Sequence, residues 1–313
     1  LGLTRSIPGF PQPLAFRTTK DGFEVELDVP VGPGKTERWQ VQQDSRLRNV
    51  SEVPLQPALE KAGANRAEIE KALDEVSPGQ REGMEFLVAN MPSRDLESLT
   101  AEFLLAEVKL AYQTWEESPW KSAIPQKIFF NNVLPYASIN ERRDAWRKDF
   151  RERFGPLVKE AKTPSAAAAI LNQKIFSELK VRYSTQRPKA DQSPFESIKS
   201  GTASCTGLSV LLIDACRSVG VPARFVGTPL WSDNSGNHSW VEIWDDGWHF
   251  TGAAEPSGDK LDQAWFIDRA SKAQRDDPRH AIYAVSFQHT PRKFPLVWDR
   301  DIDYVFAVNV TDR

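Results

Sequence analysis

The chain has 313 residues, enough for a large, well-buried core. Its formal charge is −3, from 40 basic and 43 acidic residues, so no global field draws it to nucleic acid or to an anionic membrane. Hydrophobic residues make up 40%, but no apolar run approaches the roughly 18 residues a bilayer span needs.

The first residue is Leu1, not Met. Removal of a signal peptide would give such a start and a periplasmic or secreted location. A boundary set inside a longer chain would give it too, and leaves a cytoplasmic location open. Residues 1–50 form a β-rich segment in which Phe23, Val25, Leu27 and Val29 alternate with charged neighbours. Pro30-Val31-Gly32-Pro33-Gly34 ends that strand, and 38–41 returns as a hairpin partner.

The pattern over 51–160 is helical. Apolar residues recur at three- and four-residue spacing over 67–76, 81–90 and 96–115, with Ser93 as an N-cap for the last. Residues 139–154 read as an amphipathic helix, with Trp146 and Phe150 on the packed face and its arginines on a solvated one. Thr163-Pro164 opens a further helix reaching about Lys180, and a polar loop covers 184–200. The third region, 161–313, carries the chemistry. It ends in a strand over 301–310, and the natural chain is expected to continue beyond Arg313.

Ser200-Gly201-Thr202-Ala203-Ser204-Cys205-Thr206-Gly207 is small and polar. Leu208, Leu211, Leu212, Ala215 and Val219 follow at helical spacing, before Gly220 and Pro222 end the helix. Cys205 therefore sits in a helical first turn, where unpaired N–H groups and the helix dipole stabilise a thiolate and could hold an oxyanion. Burial as a small core residue is the competing reading, and is preferred for Cys216. Eleven positions along one helix separate these two cysteines by roughly 16 Å, too far for a disulfide. The sparse cysteines and histidines argue against structural zinc, and no calcium-loop pattern or other cofactor motif is present.

A strand over 223–228, a polar loop and a second strand over 238–244 lead to Asp245-Asp246-Gly247, a hairpin signal, after which Trp248-His249-Phe250-Thr251 returns. With Asp246-Gly247 as a two-residue turn, His238 faces Glu255, and the carboxylate could steady the imidazole. A three-residue turn would place Ala254 opposite His238 and Glu255 beside it. Asp259 and Asp262 are weaker candidates for the acid. His249 is expected to bond locally, and Glu242 to be structural. Trp231, Asn237 and Trp240 are candidate substrate contacts.

The motifs Gly201-Thr202-Ala203-Ser204-Cys205-Thr206-Gly207, Ala215-Cys216-Arg217-Ser218-Val219-Gly220-Val221-Pro222-Ala223-Arg224, His238-Ser239-Trp240-Val241-Glu242-Ile243-Trp244 and Gly247-Trp248 together resemble the transglutaminase-like core. The segment 131–147 is similar to bacterial members with a helical N-terminal extension. The resemblance implies an α+β, papain-like fold, with the nucleophile helix packed on an antiparallel sheet. It implies a Cys-His-acid triad of Cys205, His238 and, where the family usually shows Asp, Glu255. It also implies a further oxyanion donor upstream of the cysteine, for which Gln186 and Gln192 are candidates. The implied activity is acyl transfer through an acyl-enzyme, with hydrolysis of a peptide, protein or glycopeptide amide expected. A protein-glutamine transglutaminase and a non-catalytic binding module are the alternatives.

Overall fold

A computed structural model describes the backbone of four strands before residue 45 and all residues over 55–312. Leu1–Val53 and Pro54–Arg313 are separate compact units. In the first, β1 (Leu3–Arg5), β2 (Leu14–Thr19), β3 (Gly22–Gly32) and β4 (Lys35–Asp44) pair in order as an antiparallel sheet. Leu27 faces Trp39 across the β3–β4 hairpin, as the alternation predicts. The turn at 33–34 and the packing of that alternating face lie outside the described residues, as does any chain beyond Arg313.

The second unit begins with helices α1 (Leu55–Lys61), α2 (Arg66–Glu75), α3 (Arg81–Asn90), α4 (Ser93–Leu96), α5 (Ala101–Glu117) and α6 (Gln126–Asn132). The helix expected over 96–115 is broken in two. Ser93 is the first residue of α4 and caps nothing, while the Thr100 side chain accepts from Phe103 N–H and starts α5.

A larger departure follows. The helix expected from Ile139 starts only at Arg147, as α7 (Arg147–Val158). Residues 133–146 instead form a largely buried, irregular segment whose carbonyls need donors. Two arginines supply them. Arg147, expected on a solvated face, is wholly buried and donates to the carbonyls of Val133, Leu134 and Pro135 at 3.1–3.2 Å, and to Glu107 at 2.9 Å. Arg217 donates to Asn132 O at 3.1 Å, Pro135 O at 3.2 Å and Ala137 O at 2.9 Å. Burial raises the pKa of Glu107, against the pull of Arg147.

Next come α8 (Pro164–Glu178), capped by Thr163 as expected, and β5 (Arg182–Tyr183). The loop expected over 184–200 contains α9 (Pro194–Ser200), opened by a capping box between Ser193 and Glu196. Then follow β6 (Thr202–Ala203) and α10 (Cys205–Ser218). Gly220, at φ +78°, takes the left-handed position after α10. The main sheet contains β7 (Ala223–Thr228), β8 (His238–Trp244), β9 (Trp248–Thr251), β10 (Tyr283–Ser286), β11 (Arg292–Lys293) and β12 (Phe306–Asn309). A short helix, α11 (Ile267–Ala270), lies between β9 and β10.

The sheet order is β11-β12-β10-β7-β8-β9, every pair antiparallel. Helix α10 packs on β7 and β8, which is the α+β arrangement expected. Phe225, Val241 and Ile243 join the main core on that side, while Val226, Trp240 and Ala284 form a second cluster with Trp231 and Phe266. Among the described residues no helix is long and apolar enough to cross a membrane.

Replacing Arg147 with Met should strand Glu107 and the three carbonyls at a cost of about 3–5 kcal/mol in urea unfolding. Arg151→Met, which breaks a half-exposed pair with Glu117, should change stability by no more than about 1 kcal/mol.

Candidate active site

Cys205 is the first residue of α10 and is partly exposed, whereas Cys216 near the other end is buried. Both are free thiols, consistent with the helical spacing that forbids a bridge. Ser204 organises the helix start. Its hydroxyl donates to Ala190 O at 2.5 Å and accepts from Gly207 N–H at 3.1 Å. The Leu208 N–H bonds Ser204 O, which leaves the Cys205 and Thr206 N–H groups without an acceptor among the described residues. Burial pushes the Cys216 thiol pKa well up, so that sulfur stays protonated.

His238 opens β8, paired with Thr228 of β7. The hydroxyls of the next residues meet across the helix–sheet interface, Thr206 Oγ1 lying 3.3 Å from Ser239 Oγ. Thus Cys205 and His238 flank one contact. No hydrogen bond joins the sulfur to the ring among the described residues. Alternation along β8 turns the imidazole, with Trp240, toward the second cluster. Its ring centroid lies 4.9 Å from Phe266, 5.1 Å from Trp265, 5.9 Å from Trp231 and 6.1 Å from Trp240. Nε2 is buried without a hydrogen-bond partner. Burial, helped by the Arg269 guanidinium, lowers the His238 pKa to about 4.

The hairpin register differs by one residue from the two-residue expectation. Trp244 faces Trp248 around a three-residue turn, with Asp246 left-handed at φ 54°. The ladder ends at Val241–Thr251, and Gly252 then bridges Glu255 in a tight turn with Ala254 at φ 64°. Glu255 therefore does not sit opposite His238. Its carboxylate lies over Gly252, where a Cβ would overlap Oε2, and accepts the Trp265 indole N–H at 2.8 Å. Burial of that end raises the Glu255 pKa, partly offset by the indole. Glu255 and His238 are thus linked through Trp265, which bonds one and lies against the other.

The other candidates have separate uses. Asp262 binds His249 Nδ1 at 2.7 Å, and Asp259 accepts from Gln173 at 3.1 Å. Glu242 pairs with Arg224, whose guanidinium lies 3.6 Å over Trp248. Trp231 and Trp240, expected as groove contacts, are only 3% and 4% exposed, so they pack around His238 instead. Asn237 is exposed beside it. Gln192 is buried, and its amide donates to Ser200 Oγ and Thr202 O at 2.9 and 3.0 Å, so both donors are committed away from the thiol. Gln186 is exposed. Sequence reasoning missed the wrap of 264–270 over His238. Its one signal was the aromatic pair Trp265-Phe266 in a polar stretch.

The depressed His238 pKa makes a stability prediction. Between about 6.5 and 4 the unfolded chain takes up a proton that the folded chain refuses. The stabilisation is therefore complete above 6.5 and falls as pH drops toward 4, by about 3 kcal/mol in all. Urea unfolding of wild type and His238→Gln at pH 7 and pH 4 should show the smaller acid loss in the variant.

The profile of the Transglutaminase-like superfamily matches residues 152–252, which run from within α7 to the end of β9. A crystal structure of a "Putative Cysteine Protease" from Cytophaga hutchinsonii aligns at 18% identity and a TM-score of 0.30, over 34% of this chain and 37% of that one. So partial an overlap is too small to argue from, and no curated protein matches. The residues that the profile covers include both Cys205 and His238, and over this third of the chain the protein is similar to the transglutaminase-like superfamily.

Proposed function

We propose that the protein hydrolyses amide bonds of a peptide or protein, with Cys205 as nucleophile, His238 as base and Glu255 as the supporting acid. One observation carries this reading. The partly exposed Cys205 thiol begins a buried helix with two uncommitted N–H groups. In the reaction, the sulfur attacks the carbonyl carbon and the Cys205 and Thr206 N–H groups receive the oxyanion. His238 takes the thiol proton and passes it to the leaving amine. Water then attacks the acyl-enzyme, losing a proton to His238 and releasing the thiol. Burial keeps the free imidazole neutral at pH 7 and also weakens it as a proton acceptor. Hydrogen bonds of such a site are often loose without substrate and tighten in the complex.

Iodoacetamide at pH 7.5, followed by peptide mapping, tests the nucleophile. Cys205 should label at least about tenfold faster than Cys216, and His238→Ala should slow it. Equal labelling of both cysteines would sink the reading. In turnover of a glutamine- or amide-containing peptide, His238→Ala should lower kcat by about 10²–10⁴-fold. Ammonia or peptide release unaffected by added primary amine identifies the hydrolase, while incorporation of the amine identifies a transglutaminase. Glu255→Gln should lower kcat with little change in KM. The same loss in Trp265→Phe would show the acid acting through the indole.

A further inference from the structure

A cavity of about 410 Å³ lies beside α10, with Glu255 in its lining and none of the aromatic residues packed on His238. Its floor is apolar: Phe176, Val181 and Ala253 are all less than one-tenth exposed, and Leu208 lies one helical turn from Cys205 on the same side of α10. Its rim is Lys180, Arg182 and Tyr183. Tyr183 is 59% exposed, the most exposed large hydrophobic side chain among the described residues. Among the described residues neither Lys180 nor Arg182 has a carboxylate partner, and the one acid in the lining, Glu255, is bonded to Trp265.

The backbone at this rim is also open. Strand β5 runs parallel to β6, with Tyr183 opposite Ala203, two residues before the nucleophile. Arg182 N–H bonds Gly201 O at 3.2 Å and Ser184 N–H bonds Ala203 O at 2.9 Å. The Tyr183 N–H and C=O between them face away from β6, an unpaired edge to which an extended chain can add. A volume of about 410 Å³ suits one or two side chains.

We propose that this cavity binds the acyl half of an extended peptide, seating one large apolar side chain on the floor with an acidic residue against Lys180 and Arg182. The inference rests on the function proposed above and adds its substrate class. The acyl half is assigned here because His238, which must hand its proton to the leaving amine, lies on β8, and no residue of β8 lines the cavity. The floor selects by burial of apolar surface, and the rim selects by charge with no competing ion pair.

The test uses peptidyl chloromethyl ketones, which place the acyl half and alkylate the nearby sulfur, each rate divided by the iodoacetamide rate of the same protein. A probe with Leu in the residues before the ketone should outpace its Gly counterpart by about tenfold. An adjacent Glu should outpace Lys by about two- to fivefold. Arg182→Glu combined with Lys180→Glu should reverse the charge preference while keeping Leu over Gly, and both changes lie on the surface. Rapid iodoacetamide labelling of Cys205 with no preference among the probes, or with a charge preference the double variant leaves intact, overturns this subsite and leaves the proposed chemistry standing. A Cys205 inert to iodoacetamide overturns both.

Discussion

Arg147 and Arg217 meet around a stretch of chain that has neither helix nor strand to satisfy it. Residues 132–137 are buried, and their carbonyls would each be costly without a donor. Arginine suits this task because its planar fork presents several donors at once and stays charged in the interior. Arg217 comes from the last turn of α10 and also binds Ala223 O, the first residue of β7. One side chain thus ties the end of α10 to both the irregular segment and the sheet. The position of Cys205 along α10 is set from the opposite end of the same helix.

That arrangement carries its own electrostatic cost. Two guanidinium groups need counter-charge, and Glu107 supplies it to Arg147 at 2.9 Å. Asp214, one turn before Arg217 on α10, is wholly buried with both oxygens unbonded. Burial and the nearby Glu141 hold its pKa well above the usual carboxylate range, which favours its neutral form. An apolar core of equal volume would avoid these penalties, but it could not satisfy the carbonyls of 132–137.

The elements nearest the thiol were the most legible. The start of α10, the bounds of β7, β8 and β9, and the glycine after α10 all follow from local patterns of apolar spacing and turn residues. What failed was long-range. An arginine in a periodic, charged stretch looks solvated, because nothing nearby in sequence announces a distant carbonyl that needs it. Arg147 and the late start of α7 are both results of that one contact set. Of the two hairpin turns the sequence allowed, the longer one forms. Asp246 accepts the left-handed conformation, which lengthens the turn to three residues and moves every later pairing by one. The link from Glu255 to Trp265 spans ten residues of loop, where no periodicity exists to read.

Burial at this link explains the opposite shifts of the two ionisable groups. Burial moves His238 downward and Glu255 upward, so each favours its neutral form. Neither receives the partner that would reverse its shift, because the Trp265 ring lies against the imidazole while its N–H holds the carboxylate. A carboxylate brought to the unpartnered Nε2 would raise the imidazole pKa and lower its own, each charge stabilising the other. In the proposed chemistry His238 must become positive when it takes the thiol proton, and that is when the carboxylate gains most by approaching. Displacement of one indole hydrogen bond by a bound substrate would then couple assembly of the acid–base pair to substrate entry, with the binding of the peptide supplying the free energy.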